Sequence, residues 1–147
     1  MDNRFSHGFR AGLIASIFMN AFNLSNYYLL HSINIRYLDW SSVMLYGERP
    51  DSSYAAMFAL LAQIIFTCFI SIIYAYLTTV INDGHYLFKG WLFGVIIWFL
   101  INGIDILMKL QPLEKIPPLT SILDFIGASI YGLVLGYCLF IFNRNSI

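Results

Sequence analysis

The residues of this chain that could do chemistry are few, and they lie inside strongly apolar sequence. Asp105 and Lys109 stand four apart, with Asn102 just before them. Asp124 opens another apolar run, Gln63 lies within a third, and Asn20, Asn23 and Asn26 repeat every three residues in a fourth. A carboxylate inside a hydrocarbon layer costs at least about 2.5 kcal/mol on insertion scales, so it faces protein or water and often marks a ligand or ion pathway. Asp105 therefore has two readings. With the acid first at i, i+4, it forms a structural pair with Lys109, whose long stem snorkels to the surface. Otherwise it is a ligand or proton site. Asp124 also has two. Ser121-x-x-Asp124 has capping-box spacing, and an acid in a first turn suits the helix dipole. It also shares a ridge with small residues, which turns it inward toward Asp105. The asparagines and Gln63 serve as hydrogen-bond partners between helices or as the lining of a polar pocket. The candidate ligand site is thus Asn20, Asn23, Gln63, Asn102, Asp105, Lys109 and Asp124.

Other chemistries lack their residues. His7, His31 and His85 fall on separate segments with no H-x-x-x-H spacing, so no metal is expected. No nucleophile elbow or phosphate loop occurs. A paired-aspartate hydrolase would need Asp105 and Asp124 to share a site, yet both lie near a rim beside a lysine. The expectation is a non-enzymatic protein with no cofactor. Cys68 and Cys138 lie within apolar runs and read as small packing residues.

The elements that must position these groups are four apolar runs, roughly 11–30, 54–81, 91–110 and 122–142. Each has the ~20 residues that a helix needs to cross a bilayer. Charged residues make up 11% of the chain and hydrophobic ones 59%, whereas soluble chains average about 25% charged. The longest connection, Ser32–Ser53, is too short for a soluble domain. Arg4 and Arg10 resemble the start of a leader, but the first run continues apolar to Leu30, as a cleaved leader would not need. Net charge is zero, so nucleic acid is not an expected partner. The expected fold is an all-α antiparallel four-helix transmembrane bundle, one integral membrane domain over residues 1–147. A short interfacial helix, Trp40–Tyr46, sits between its first two spans, capped by Asp39 and ended by Gly47. Trp40, Val43 and Met44 would share one face of it. Pro50-Asp51-Ser52-Ser53 caps the second span, Asn82–Gly84 is a tight turn, and Gln111–Thr120, with Pro112, Pro117 and Pro118, is a stiff connector.

Small residues recur at i+4 on three of the runs: Gly8 and Gly12; Gly90 and Gly94; Ala128, Gly132 and Gly136. In lipid such stripes let helix backbones approach closely, within a chain or between copies. They gather at one end of the runs and the polar residues at the other. The result is a bundle seamed at one end, with a polar pocket in the opposite leaflet. Threading with the N-terminus inside leaves Arg4, Arg10, Lys89 and Arg144 on one side and Arg36, Arg49, Lys109 and Lys115 on the other, a tie. Because the first helix usually dominates, both termini are expected in the cytoplasm.

Lys89–Gly94 (KGWLFG), Ile130–Tyr137 (IYGLVLGY) and the Pro117-Pro118 connector give the last three spans a resemblance to the YqhR-like four-span membrane proteins of endospore-forming bacteria. The chain is more distantly similar to the YagU-like inner-membrane proteins. The resemblance implies a multi-pass protein of the bacterial cytoplasmic membrane and carries over no catalytic residues. The function expected is that of an accessory, partner-binding or small-ligand-binding membrane protein. The expected partners are membrane lipids and either further copies of the chain or another membrane protein. The alternative is a small oligomeric transporter or channel that uses Asp105.

Overall fold

The computed structural model describes residues 3–78, 84–109 and 116–144, and among them every regular element is helical. The helices are α1 (Asn3–Tyr28), α2 (Tyr37–Tyr46), α3 (Ser53–Leu77), α4 (Tyr86–Met108) and α5 (Pro118–Arg144). The ends of the expected runs at 79–81 and 110, the residues Asn82 and Asp83 of the expected turn, and the 111–115 part of the connector lie outside the described residues. Among the described residues, α3, α4 and α5 are long and apolar enough to cross a membrane. Helix α1 is as long, at 26 residues, but less apolar, because Arg4, Ser6, His7, Arg10, Ser16, Ser25 and four asparagines dilute it.

Local chemistry sets the ends of the elements. Ser52 caps α3 by accepting from the Ala55 amide at 3.3 Å. Gly47 ends α2 in the left-handed conformation, φ 77°, which glycine adopts without strain. Two expected caps are corrected. Helix α2 begins at Tyr37, a turn before Trp40, so Asp39 is not its cap. Asp39 lies one turn in and reaches back, accepting from the Arg36 amide at 2.7 Å and from its guanidinium at 2.8 Å. Helix α5 begins at Pro118, a residue suited to a first turn. Asp124 is therefore well inside the helix and caps nothing.

Helix α1 packs between α3 and α5, α4 packs on the other flank of α5, and α2 lies on α3. The pairs run antiparallel. Gly8 meets Ile72 while Ser16 meets Thr67; His7 meets Asn143 while Asn23 meets Asp124; Tyr86 stacks on Phe140 at 4.0 Å while Trp98 meets Phe125. Helices α3 and α4 do not pack along each other.

The glycine stripes are used within the chain. A Cβ on Gly94 would stand 2.5 Å from the Ala128 carbonyl oxygen, and one on Gly136 would stand 2.6 Å from that of Tyr86. One on Gly8 would be 2.8 Å from Ile72 Cα. Helices α4 and α5 thus touch backbone to backbone, where no side chain fits. Gly103, on the same helix as Gly94, has open space around a Cβ. Gly94→Ala should therefore destabilise the protein by about 1–3 kcal/mol through overpacking. Gly103→Ala should be neutral or stabilise by up to about 1 kcal/mol through helix propensity. Thermal melting of the two variants in mild detergent checks the opposite signs.

Candidate functional site

The polar residues of the helices form two clusters. The first ties α1, α3 and α5 together at mid-height. Ser16 and Thr67 share a hydroxyl hydrogen bond. The Tyr131 hydroxyl donates to the Thr67 carbonyl at 2.8 Å and lies 2.6 Å from Ser71 Oγ. Ser16 and Ser71 are fully buried. Such bonds average about 0.6 kcal/mol between membrane helices, so this cluster fixes register more than it adds stability.

The second cluster fastens α2 to the bundle. Tyr37 lies over Gly127, where a Cβ would meet its hydroxyl at 2.5 Å. That hydroxyl donates to the Asp124 carbonyl at 2.6 Å, and the Tyr37 amide donates to Asn23 Oδ1 at 3.1 Å. Asn23 Nδ2 in turn donates to the Asp124 carboxylate at 3.4 Å. Next to it, the Arg36 guanidinium bonds the Tyr28 hydroxyl at 2.6 Å and covers the Tyr27 ring at 4.8 Å. The end of α1 and the start of α2 are therefore held as a unit over α5. Ile35, Trp40 and Val43 form a buried cluster that packs against Ile101 of α4.

Between α3 and α4, where the two helices stand apart, lies a cavity of about 490 Å³. Pockets that bury small molecules hold roughly 300–1,000 Å³. Its walls are Gln63, Phe66, Thr67 and Ile70 of α3 and Ile97, Trp98, Ile101 and Asn102 of α4. Met19 of α1 and Asp124, Ala128 and Tyr131 of α5 close it behind, and Tyr37, Trp40, Met44 and Leu45 of α2 cover one end. Three buried polar side-chain atoms have no hydrogen-bond partner among the described residues: Gln63 Oε1, Trp98 Nε1 and Asp105 Oδ1. Gln63 and Trp98 also contribute to the cavity wall, but these two atoms are buried away from its open space.

Of the expected site residues, the cavity gathers Gln63, Asn102 and Asp124. Asn20, Asn23, Asp105 and Lys109 do not line it. Asn20 donates to the Ser16 carbonyl and Asn26 to the Phe22 carbonyl, bonds within their own helix rather than between helices. Asn23 alone of the three bridges to another helix. The Asp105–Lys109 pair does not form, because Lys109 leaves the helix in the left-handed conformation, φ 49°, as the C-cap of α4. Its side chain departs from the i+4 position and is exposed, while Asp105 stays 7% exposed. Of Trp40, Val43 and Met44, expected to share one face of the short helix, the first two are buried and Met44, a cavity-lining residue, is 62% exposed.

Sequence reasoning passed over Trp98, Tyr131 and Tyr37 as site residues. Trp98 stands four residues before Asn102 on the same ridge, and that spacing was the available signal. Tyr37 has none, because its place depends on how the chain folds back after α1.

Burial, then the nearby Asp124 carboxylate, push the Tyr37 phenol well above its ordinary range. A raised folded pKa means that its contribution is complete below the ordinary phenol pKa of about 10 and is lost as pH rises toward the folded value. Amide exchange across Tyr37–Tyr46 should therefore stay equally protected from neutral pH to about pH 10 and weaken above it. Tyr37→Phe, which removes a bond worth about 0.5–1.5 kcal/mol, should raise exchange there at neutral pH while α3 is unchanged.

No protein-family model, curated protein or solved structure matches this chain.

Proposed function

We propose that this chain is a multi-pass protein of the bacterial cytoplasmic membrane in which α1, α3, α4 and α5 all cross the bilayer. In this reading it acts without catalysis, by holding a small apolar ligand in the cavity between α3 and α4. The carrying observation is that cavity: apolar walls around a ligand-sized volume between α3 and α4.

Membrane crossing by α1 is supported by which face carries its polar residues. Ser16, Asn20, Asn23 and Asn26 are buried against the other helices, while Phe5, Phe9, Leu13, Ile17 and Phe18 are exposed. The outward surface of α1 is as apolar as a lipid-facing helix requires. The two motifs behind the YqhR-like resemblance are the two sides of the α4–α5 glycine seam, and that shared packing is the support for including the chain in that group. Placing both termini in the cytoplasm rests on Arg4 and Arg10 before the first span.

Two measurements check this reading. Cysteines placed at Asn3 and Arg144 should react with a membrane-impermeant maleimide from one side of the membrane, and a cysteine at Glu48 from the other. If the cysteines at positions 3 and 48 label from the same side, α1 does not cross. Ala62 lines the cavity and Leu61, 53% exposed, does not. In native mass spectrometry from mild detergent, the wild-type protein and Leu61→Trp should retain a bound small molecule or lipid, and Ala62→Trp should lose it. Equal retention by all three would remove the cavity as the binding site.

A further inference from the structure

Resting on the ligand-binding reading, we propose that the apolar molecule held between α3 and α4 carries one positive charge, a lipophilic organic cation whose charge is met by Asp124. The cavity wall has one sign of charge. Asp124 lines it, and among the described residues no arginine, lysine or histidine does. Asp124, Ala128 and Tyr131 all belong to the lining and stand at i, i+4 and i+7 on α5. That spacing puts them on one face of the helix. The Asp124 side chain therefore leaves α5 on the side that faces the cavity.

This carboxylate is short of partners. Asp124 is 5% exposed, and among the described residues its side chain accepts one hydrogen bond, the 3.4 Å contact from Asn23 Nδ2 to Oδ1. Oδ2 accepts none there. The unpartnered atoms sealed from the surface are Gln63 Oε1, Trp98 Nε1 and Asp105 Oδ1. Asp124 Oδ2 is not one of them, so it keeps accessible surface. No basic side chain pairs with it among the described residues. Arg36, in the neighbouring cluster, is committed to Asp39 at 2.8 Å and to the Tyr28 hydroxyl at 2.6 Å. A buried carboxylate without a counter-charge is costly, and a bound cation or a proton relieves it. The proton is the rival, and it predicts no preference for cations.

The rest of the wall selects an organic cation over a metal ion. A calcium-like ion takes about six to eight oxygen ligands. No group of three His, Cys, Asp or Glu side chains comes together among the described residues. The other polar groups of the lining are engaged or sealed. The Thr67 hydroxyl bonds the Ile64 carbonyl at 2.8 Å, and the Tyr131 hydroxyl bonds the Thr67 carbonyl at 2.8 Å. Asn102 Nδ2 donates to the Trp98 carbonyl at 2.8 Å. An inorganic ion would find one carboxylate and little else. The remaining surface is apolar, with Met19, Phe66, Ile70, Ile97 and Ile101. Such a wall suits a charge carried on a hydrocarbon body, which gains from burial as the charge meets Asp124. An anion of the same shape would face the carboxylate with no counter-charge.

The test uses the full chain in dodecylmaltoside and two probes of like size and opposite charge, radiolabelled tetraphenylphosphonium and tetraphenylborate. Each is measured alone by equilibrium dialysis, with protein-free micelles as the blank. The phosphonium should bind saturably and at least about tenfold more tightly than the borate. Asp124→Asn, which keeps the backbone carbonyl that Tyr37 bonds, should weaken the phosphonium about tenfold and leave the borate no weaker. Ala62→Trp should abolish phosphonium binding. The comparison of the two ions on the wild-type protein needs no variant, so it decides even if Asp124→Asn does not fold. Equal binding of the two ions, or phosphonium binding unchanged in Asp124→Asn, overturns the cation. If Ala62→Trp still abolishes that binding, the ligand-binding reading stands. Phosphonium binding that survives Ala62→Trp lies elsewhere and overturns the proposal. Saturable binding of neither ion also overturns the cation, and the retention comparison of Ala62→Trp with Leu61→Trp then decides the cavity separately.

Discussion

The backbone contact between α4 and α5 is the constraint on which the cavity depends. Gly90 and Gly94 face Gly132 and Gly136 so closely that no Cβ fits between the chains. That contact holds α4 on one flank of α5. The other flank belongs to α1, which lies between α5 and α3. The order α3–α1–α5–α4 therefore leaves α3 and α4 facing each other without a glycine track between them. Bulky residues stand there instead, Phe66 on one side and Trp98 on the other, and the space between them stays open. The cavity is thus a consequence of where the small residues are absent.

The polar groups follow from the same scarcity of water. Most deep hydroxyls and amides in this chain have a partner: Ser16 with Thr67, Ser71 with Tyr131, Asn23 with Asp124 and Tyr37. Asn20 and Asn26 turn back on their own helix, a way of satisfying an amide without a neighbour. Against that background the unpaired atoms of Gln63 and Trp98 stand apart. Gln63 and Trp98 are residues of the cavity wall, whereas Asp105 lies outside the lining.

Much of the fold was legible in the sequence and less of the site. Apolar runs and i+4 glycines are properties of a single helix, so α3, α4 and α5, and the stripes on α1, α4 and α5, could be read directly. The partner of each stripe could not, because that depends on long-range packing: Gly12 faces Ser71 on α3, while Gly94 faces Ala128 on α5. Gln63, Asn102 and Asp124 were recognised as pocket residues because large polar groups deep in apolar sequence are conspicuous. Trp98 was not, since a tryptophan in an apolar run reads as ordinary packing. The Asp105–Lys109 pair failed because spacing assumes a continuing helix and α4 ends at Met108. Asp124 misled as a cap because Pro118 starts α5 earlier than its apolar run begins.

The position of α2 has a thermodynamic consequence for anything held in the cavity. Tyr37 is bonded to α5, the body of α2 lies on α3, and the Trp40 cluster packs against Ile101 of α4. One short helix thus spans all three cavity walls at the end nearest the loop. Phe66 of α3 and Ile104 of α4, both exposed and apolar, line the cavity between those two helices. In the membrane-crossing, ligand-binding reading proposed above, a molecule entering between these helices comes from the lipid, and its occupancy follows its mole fraction there rather than its aqueous concentration. In that reading its apparent affinity for such a molecule shifts when the surrounding bilayer is diluted with inert lipid.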